Sequence, residues 1–198
     1  MEFNNKRQHQ KISGYATIND EFKFAWFRNA KVATRSIKQV IESNGPCRQS
    51  ENPKTERIEN YYRFAFVRNP WDRLVSCYFS KIFEQEKVGF REYWGLDFAG
   101  FVMAACQSDV AQVNKHLRLQ SSLIPVDSLN YIGRFENLQN DFRHACRVVG
   151  LLKSDLPHRN ASTHQHYSHY YSQSTRDAVA AAYSADIELF EYTFEQRS

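Results

Sequence analysis

Two short segments of the 198-residue chain gather cations, hydroxyls and small residues where an anion could sit. The first, Arg28-Asn29-Ala30-Lys31-Val32-Ala33-Thr34-Arg35-Ser36-Ile37-Lys38, holds four cations and no acid. Set between the end of a strand and the start of a helix, its small residues let backbone N–H groups approach an anion, and the helix dipole and Lys31 favour the charge. That is a phosphate or sulfate cradle, although an ordinary strand-to-helix turn with solvated cations reads the same way. A Walker A loop needs G-x-x-x-x-G-K-[ST]; neither glycine nor the Lys-Ser/Thr pair is present, and the lysine precedes the turn.

The second segment runs Arg68-Asn69-Pro70-Trp71-Asp72-Arg73-Leu74-Val75-Ser76. Arg68 leaves the predicted sheet at the same edge as Lys31. Ser76 lies two turns into the next helix and off its apolar stripe, so guanidinium and hydroxyl can jointly hold a second dianion. Alone, either residue reads as ordinary surface. Their coincidence with the first cradle points to function.

The elements that must position these residues are legible. Residues 22–28 and 61–68 are short, aromatic, apolar on both faces, and read as buried strands. Each precedes a helical pattern, from 34 to about 43 and from 71 to about 83. Asn69 is a good N-cap for the second helix, with Pro70 at its first position. A third strand is expected at 129–135, followed by a helix from about 138 to 149 that stops at Gly150. Residues 97–107 read as a helix, and a last helix is expected from Ser174-x-x-Asp177, its apolar stripe covering a sheet face. Successive strand-helix units predict an α/β fold with a central parallel sheet flanked by helices in three layers.

Residues 43–60 and 153–173 are polar connections, the latter long enough to suggest a working loop. Composition bounds the rest. With 42% hydrophobic and 15% aromatic residues the chain is not of disordered or low-complexity type. A net charge of +4 is too small to point to nucleic acid. There is no apolar run of the ~18 residues a membrane span requires. Cys47, Cys77, Cys106 and Cys146 are too widely spaced for a zinc or redox motif and read as thiols. The first ten residues have no apolar signal core, so the expectation is a flexible tail at 1–10, one domain at 11–198, and a cytoplasmic location, peripheral to the membrane at most.

The chain resembles the sulfotransferases that use 3′-phosphoadenosine 5′-phosphosulfate, in particular their carbohydrate branch. Lys31-Val32-Ala33-Thr34-Arg35-Ser36 looks like that family's 5′-phosphosulfate loop, and Phe66 through Ser76 like its 3′-phosphate strand and helix. His116-Leu117-Arg118-Leu119-Gln120, Tyr131 through Leu138, Tyr170-Tyr171 and the closing helix follow in the family's order. The resemblance implies a P-loop-like fold and sulfuryl transfer to a carbohydrate hydroxyl, on a polysaccharide or glycolipid, without an obligatory metal. It places Lys31 on the leaving bridge oxygen, the 32–36 amides with Thr34, Arg35 and Ser36 on the phosphosulfate, Arg68 and Ser76 on the 3′-phosphate, and Gly133 and Arg134 beside the nucleotide. The family often has Pro before the lysine and Gly where Ala33 stands; alanine resists positive φ. Many relatives carry a membrane anchor and disulfides, so a bacterial or otherwise cytosolic member is expected.

The acceptor hydroxyl then needs a base near neutral pH, with His116 the first candidate and Glu136 the second. Either also fits a bland role, His116 as a surface ring and Glu136 as a carboxylate at a helix start. His158, His164, His166 and His169 crowd the long loop without a carboxylate or cysteine at ligand spacing, so it reads as a lid rather than a metal site. Arg159 and Asn160 could reach the ligands when it closes. Tyr93, Trp94 and Phe98 are a candidate sugar-stacking wall, with core packing as the usual alternative. Lys81, Arg91, Lys115 and Arg118 would suit an acidic glycan. Two other classes compete: a P-loop-like nucleotide kinase, which predicts a magnesium requirement, and a non-catalytic nucleotide or glycan-binding protein.

Overall fold

The computed structural model describes residues 15–51, 57–83, 88–157 and 165–195. Five strands form one sheet: β1 Tyr15–Asn19, β2 Phe24–Arg28, β3 Arg48–Ser50, β4 Tyr62–Val67 and β5 Tyr131–Arg134, in the order β3-β1-β2-β4-β5. β2, β4 and β5 run parallel, as the strand-helix units predict. β1 pairs antiparallel with both β2 and β3, so the sheet is mixed, not wholly parallel.

The two antiparallel strands carry too little apolar pattern to be read locally. In β1, Thr17 and Asn19 are buried polar residues, and both reach across the fold for partners, Thr17 to Gln49 Oε1 at 3.0 Å and Asn19 to the Pro46 carbonyl at 3.1 Å, while Asn19 Oδ1 also accepts from Phe22 N at 2.7 Å. β3 is three polar residues inside the expected 43–60 connection.

The two faces of β2 and β4 differ in size. Phe24, Trp26, Phe64 and Phe66 pack on one face against α1 (Thr34–Glu42) and α4 (Leu138–Val149). Ala25, Phe27, Ala65 and Val67 face the other way, onto Ile58, Leu123, Ile124, Phe190 and Tyr192. Small residues on that face let single-turn 3₁₀ segments and the chain's end cover the sheet without a full helix.

A separate helical cluster stands beside the sheet. In it α2 (Pro70–Tyr78), α3 (Phe98–Gln107) and α5 (Gln173–Ala182) bury Trp71, Leu74, Val75, Phe101, Val102, Val179 and Tyr183 together. The stripe of the last helix therefore divides: Val179 and Tyr183 join this cluster, and only Phe190 lies against the sheet. α5 starts two residues earlier than its sequence signal, because Ser172 and Thr175, not Ser174 and Asp177, close the reciprocal capping box. It ends at Ala182, before a short α6 at Ser184–Leu189.

α2 starts as predicted, with the Asn69 side chain accepting from Trp71 N at 3.0 Å and Pro70 in the first turn. It does not continue to residue 83 as an α-helix. After Tyr78 the chain widens into a π-turn, Phe79–Phe83, the kind of irregularity that often marks a working site. Among the described residues no helix is long and apolar enough to cross a membrane.

Candidate active site

The C-terminal ends of the parallel strands β2 and β4 deliver Arg28 and Val67, and the chain turns sharply after each into α1 and α2. Gln120 ties the two ends together. Fully buried, it accepts from Asn29 Nδ2 at 3.2 Å and from Arg68 N at 2.9 Å through one oxygen, and donates to the Arg68 carbonyl at 2.8 Å. Its own backbone N–H and that of Ser121 are held by the buried carboxylate of Asp186, at 2.6 and 2.9 Å. Leaving such buried groups unpaired would cost about 1–3 kcal/mol each, so the hub fixes the two turns in register.

Within the first turn, Asn29 caps Ala30 N at 2.9 Å and its carbonyl accepts from the Thr34 hydroxyl at 2.6 Å. The Thr34 hydroxyl proton thus closes the turn and is not offered to an anion. Lys31 and Ala33 both take left-handed backbone, φ 70° and 56°. The geometry usual for glycine survives at Ala33 at the expense of strain, of order 1–2 kcal/mol for an L-residue. Ala33 is also the N-cap of α1 and offers no side-chain acceptor. Among the described residues the N–H groups of residues 32–36 have no protein acceptor, and the positive end of the helix dipole lies there. Val32 and Ser36 are buried, while the Arg35 side chain is exposed and lines the outer side of α1 with Lys38 and Gln39. An anion at this turn would meet backbone N–H groups rather than the Arg35 side chain.

The second turn meets the first directly. The Arg68 guanidinium donates from Nε to Asp72 at 2.8 Å and from Nη1 to the Lys31 carbonyl at 3.1 Å, and lies 3.9 Å above the centre of the Phe135 ring. Its Nη2 has no protein acceptor among the described residues, nor has the hydroxyl of the buried Ser76. Asp72, Ser76 and Ser80 follow Arg68 at four-residue steps, so they share one side of α2 and its π-turn. Ser80 accepts a short hydrogen bond from Lys31 Nζ and donates to the Ser76 carbonyl at 2.7 Å. Lys31 is thus gripped at its carbonyl by one end of this stripe and at its amine by the other, with Ser76 between.

Burial pulls the Lys31 amine down to about 8; Cys77 opposes this, and Arg68, Lys81 and Arg73 reinforce it. His116 belongs to the same neighbourhood. Burial first, then the charges of Lys81, Lys31, Arg73 and Lys115, bring its imidazole down to about 3. Its Nδ1 lies 2.8 Å from Asn114 Oδ1, an oxygen that also accepts from His116 N at 3.1 Å. An amide oxygen can only accept, so the proton sits on Nδ1 and Nε2 keeps a lone pair.

A family model described as "Sulfotransferase family" matches residues 14–193. The chain belongs to that family. This sulfotransferase-family member is similar to Carbohydrate sulfotransferase 14 of Danio rerio, 24% identical over 93% of this chain and 64% of the relative. It is also similar to Carbohydrate sulfotransferase 11 of Rattus norvegicus, 22% identical over 48% of this chain and 34% of the relative. The chain thus spans less than two thirds of either relative's length. No solved structure matches it.

Several residues singled out in the sequence of this sulfotransferase-family chain have structural contacts of their own. Gly133 is needed for packing: a Cβ there would lie 2.5 Å from the Phe66 ring. Arg134 donates to the Phe190 carbonyl at 2.6 Å and stacks on Tyr192, which fastens the chain's end. Glu136 accepts from Asn69 N at 2.7 Å and from the Tyr192 hydroxyl at 3.1 Å, so both oxygens are occupied. Tyr93 is core, whereas Trp94 and Phe98 are half-buried. Arg118 donates to the carbonyls of Val113 and Gln112 within its own loop. His158, Arg159, Asn160 and His164 lie outside the described residues, as does the 1–10 tail. His166 accepts from Ser168 N and heads a 3₁₀ turn.

Gln120, Arg73, Ser80 and Asn114 received no role from sequence. Asn114-x-His116 carried the one local signal, an Asx turn in which the side chain accepts from the backbone two residues on.

Proposed function

We propose that the chain moves a sulfuryl group from 3′-phosphoadenosine 5′-phosphosulfate to a hydroxyl of a carbohydrate acceptor. The observation that carries this reading is the bond from Arg68 to the Lys31 carbonyl, which makes two anion-binding turns adjoin as the two ends of a bisphosphorylated adenosine require. The residues fit such a donor. The uncapped amides of 32–36 would hold the 5′ end, and Arg68 Nη2 with the Ser76 hydroxyl the 3′-phosphate.

The donor supplies an activated sulfuryl group. His116 Nε2 takes the proton of the acceptor hydroxyl as its oxygen bonds to sulfur. The bond from sulfur to the bridge oxygen breaks, and that oxygen keeps the electron pair. Lys31, charged when a dianion is bound, stabilises the developing negative charge there. An imidazole that titrates near 3 is a weak base, but its depression is partly due to cations that the bound dianion would neutralise. Binding therefore raises its basicity when it is needed.

The carbohydrate acceptor rests on the two named relatives, and the cations Lys81 and Lys115 around His116 favour an acidic glycan or a charged glycolipid headgroup. The test is thermal stabilisation of the chain by adenosine 3′,5′-bisphosphate, ATP and AMP at equal concentration. The bisphosphate should raise the melting temperature most; equal shifts would refute the assignment.

A further inference from the structure

Arg73 is 1% exposed, on a helix whose neighbours Trp71, Leu74, Val75 and Cys77 are core. An apolar residue would suit that position, and burying a guanidinium is costly unless every donor is used. Among the described residues it forms no ion pair. Its three nitrogens go instead to backbone carbonyls: Nε to Ala30 at 3.2 Å, Nη2 to Lys115 at 3.0 Å and Nη1 to Arg118 at 2.7 Å. Ala30 and Lys115 are the residues immediately before Lys31 and His116.

We propose that Arg73 is a positioning residue, a planar three-way tie that holds the carbonyls preceding Lys31 and His116 and so sets the amine and the imidazole against each other across the site. The inference rests on the sulfuryl-transfer reading above. It deepens that reading by adding a residue that touches neither substrate.

The geometry of the guanidinium explains why arginine is used. A rigid fork presents donors in fixed directions within one plane, whereas a lysine ammonium at the end of a flexible stem cannot satisfy three separated carbonyls from one position. The charge acts as well, because Arg73 is among the cations that hold down the proton affinity of both Lys31 and His116. The 3′-phosphate end has its own anchor in Asp72, Arg68 and Gln120, and Arg73 donates to none of these three. Loosening Arg73 should therefore disturb chemistry more than nucleotide affinity.

The experiment uses the full chain and its Arg73→Lys and Arg73→Gln variants. Affinity for adenosine 3′,5′-bisphosphate is measured by calorimetry. Turnover is measured as hydrolysis of 3′-phosphoadenosine 5′-phosphosulfate to inorganic sulfate and the bisphosphate, with water as the acceptor. Arg73→Lys should lose at least tenfold in kcat with donor KM and bisphosphate affinity within threefold of wild type, and Arg73→Gln should lose more in kcat. Full kcat in Arg73→Lys, or parallel losses of affinity and kcat, overturns the inference. If the variants do not fold or water does not serve, nitrogen-15 spectra of the wild-type Arg73 guanidinium decide. Its signals should shift when the bisphosphate saturates the chain, because the Ala30 carbonyl belongs to the cradle; unmoved signals overturn the inference. A wild type that does not bind the bisphosphate sinks the parent reading instead, which separates the two failures.

Discussion

The Arg68 guanidinium donates to the Lys31 backbone carbonyl at 3.1 Å, so the two turns that leave β2 and β4 are joined by a charge-assisted hydrogen bond. Two cations would ordinarily separate. Here the contact is to a carbonyl, the Lys31 amine is directed to Ser80, and Asp72 takes Arg68 Nε, which brings both cations beside one site without direct opposition. Arg68→Ala removes both bonds and the proposed 3′-phosphate contact. Affinity for adenosine 3′,5′-bisphosphate should fall by about 1.5–3 kcal/mol, roughly 10- to 150-fold, measured by calorimetry. An unchanged affinity would refute the assigned role.

Lys31 titrates near 8 in the free protein, and a bound dianion favours its charged form. Between pH 8 and 10 the complex should therefore hold a proton that the free protein has lost. Binding heats measured in buffers of different ionisation enthalpy should report proton uptake in that window and none for Lys31→Met. The same variant should retain bisphosphate binding and lose donor turnover.

His116 makes stability depend on pH in the acid range. Its folded value, about 3, lies below the unfolded value near 6.5, so between these the unfolded chain binds the extra proton. The contribution is complete above pH 6.5 and is lost as pH falls towards 3, with a slope of at most ~1.4 kcal/mol per unit. Denaturant unfolding across this window should flatten in His116→Gln. Asn114→Ala should leave more of the slope but shift the imidazole tautomer balance in nitrogen-15 spectra.

Ala33 adopts φ 56° at the tip of the cradle. Ala33→Gly should relieve that strain and stabilise the chain by about 1 kcal/mol, which raises the melting temperature by roughly 2–4 °C for a domain of this size. Loss of stability would show that the left-handed conformation is not strained.

Gly133→Ala places a methyl against the Phe66 ring. Unfolding should become easier by about 1–3 kcal/mol, the usual range for overpacking. Calorimetry on folded protein should find bisphosphate affinity unchanged; a large loss would return Gly133 to the nucleotide.

The sequence by itself determined the elements with strong local signals. The apolar runs in β2 and β4 had to be buried on both faces, Asn69-Pro70 had to start α2, and Gly150 at φ 79° had to end α4, because these depend on side chains a few residues apart. It also located Lys31 and Arg68 at neighbouring strand ends, since parallel strands point the same way. Tertiary structure alone decided the rest. β1 and β3 are strands only because partners satisfy their polar residues. α2 gives way to a π-turn that carries Ser80 towards Lys31. Arg73, Asn114 and Gln120 act through atoms of chain segments up to 91 residues away or through a local turn without apolar periodicity. Hydrophobic spacing reports which residues leave water; it says nothing about which carbonyl a buried donor will find, because that depends on how the segments pack around it.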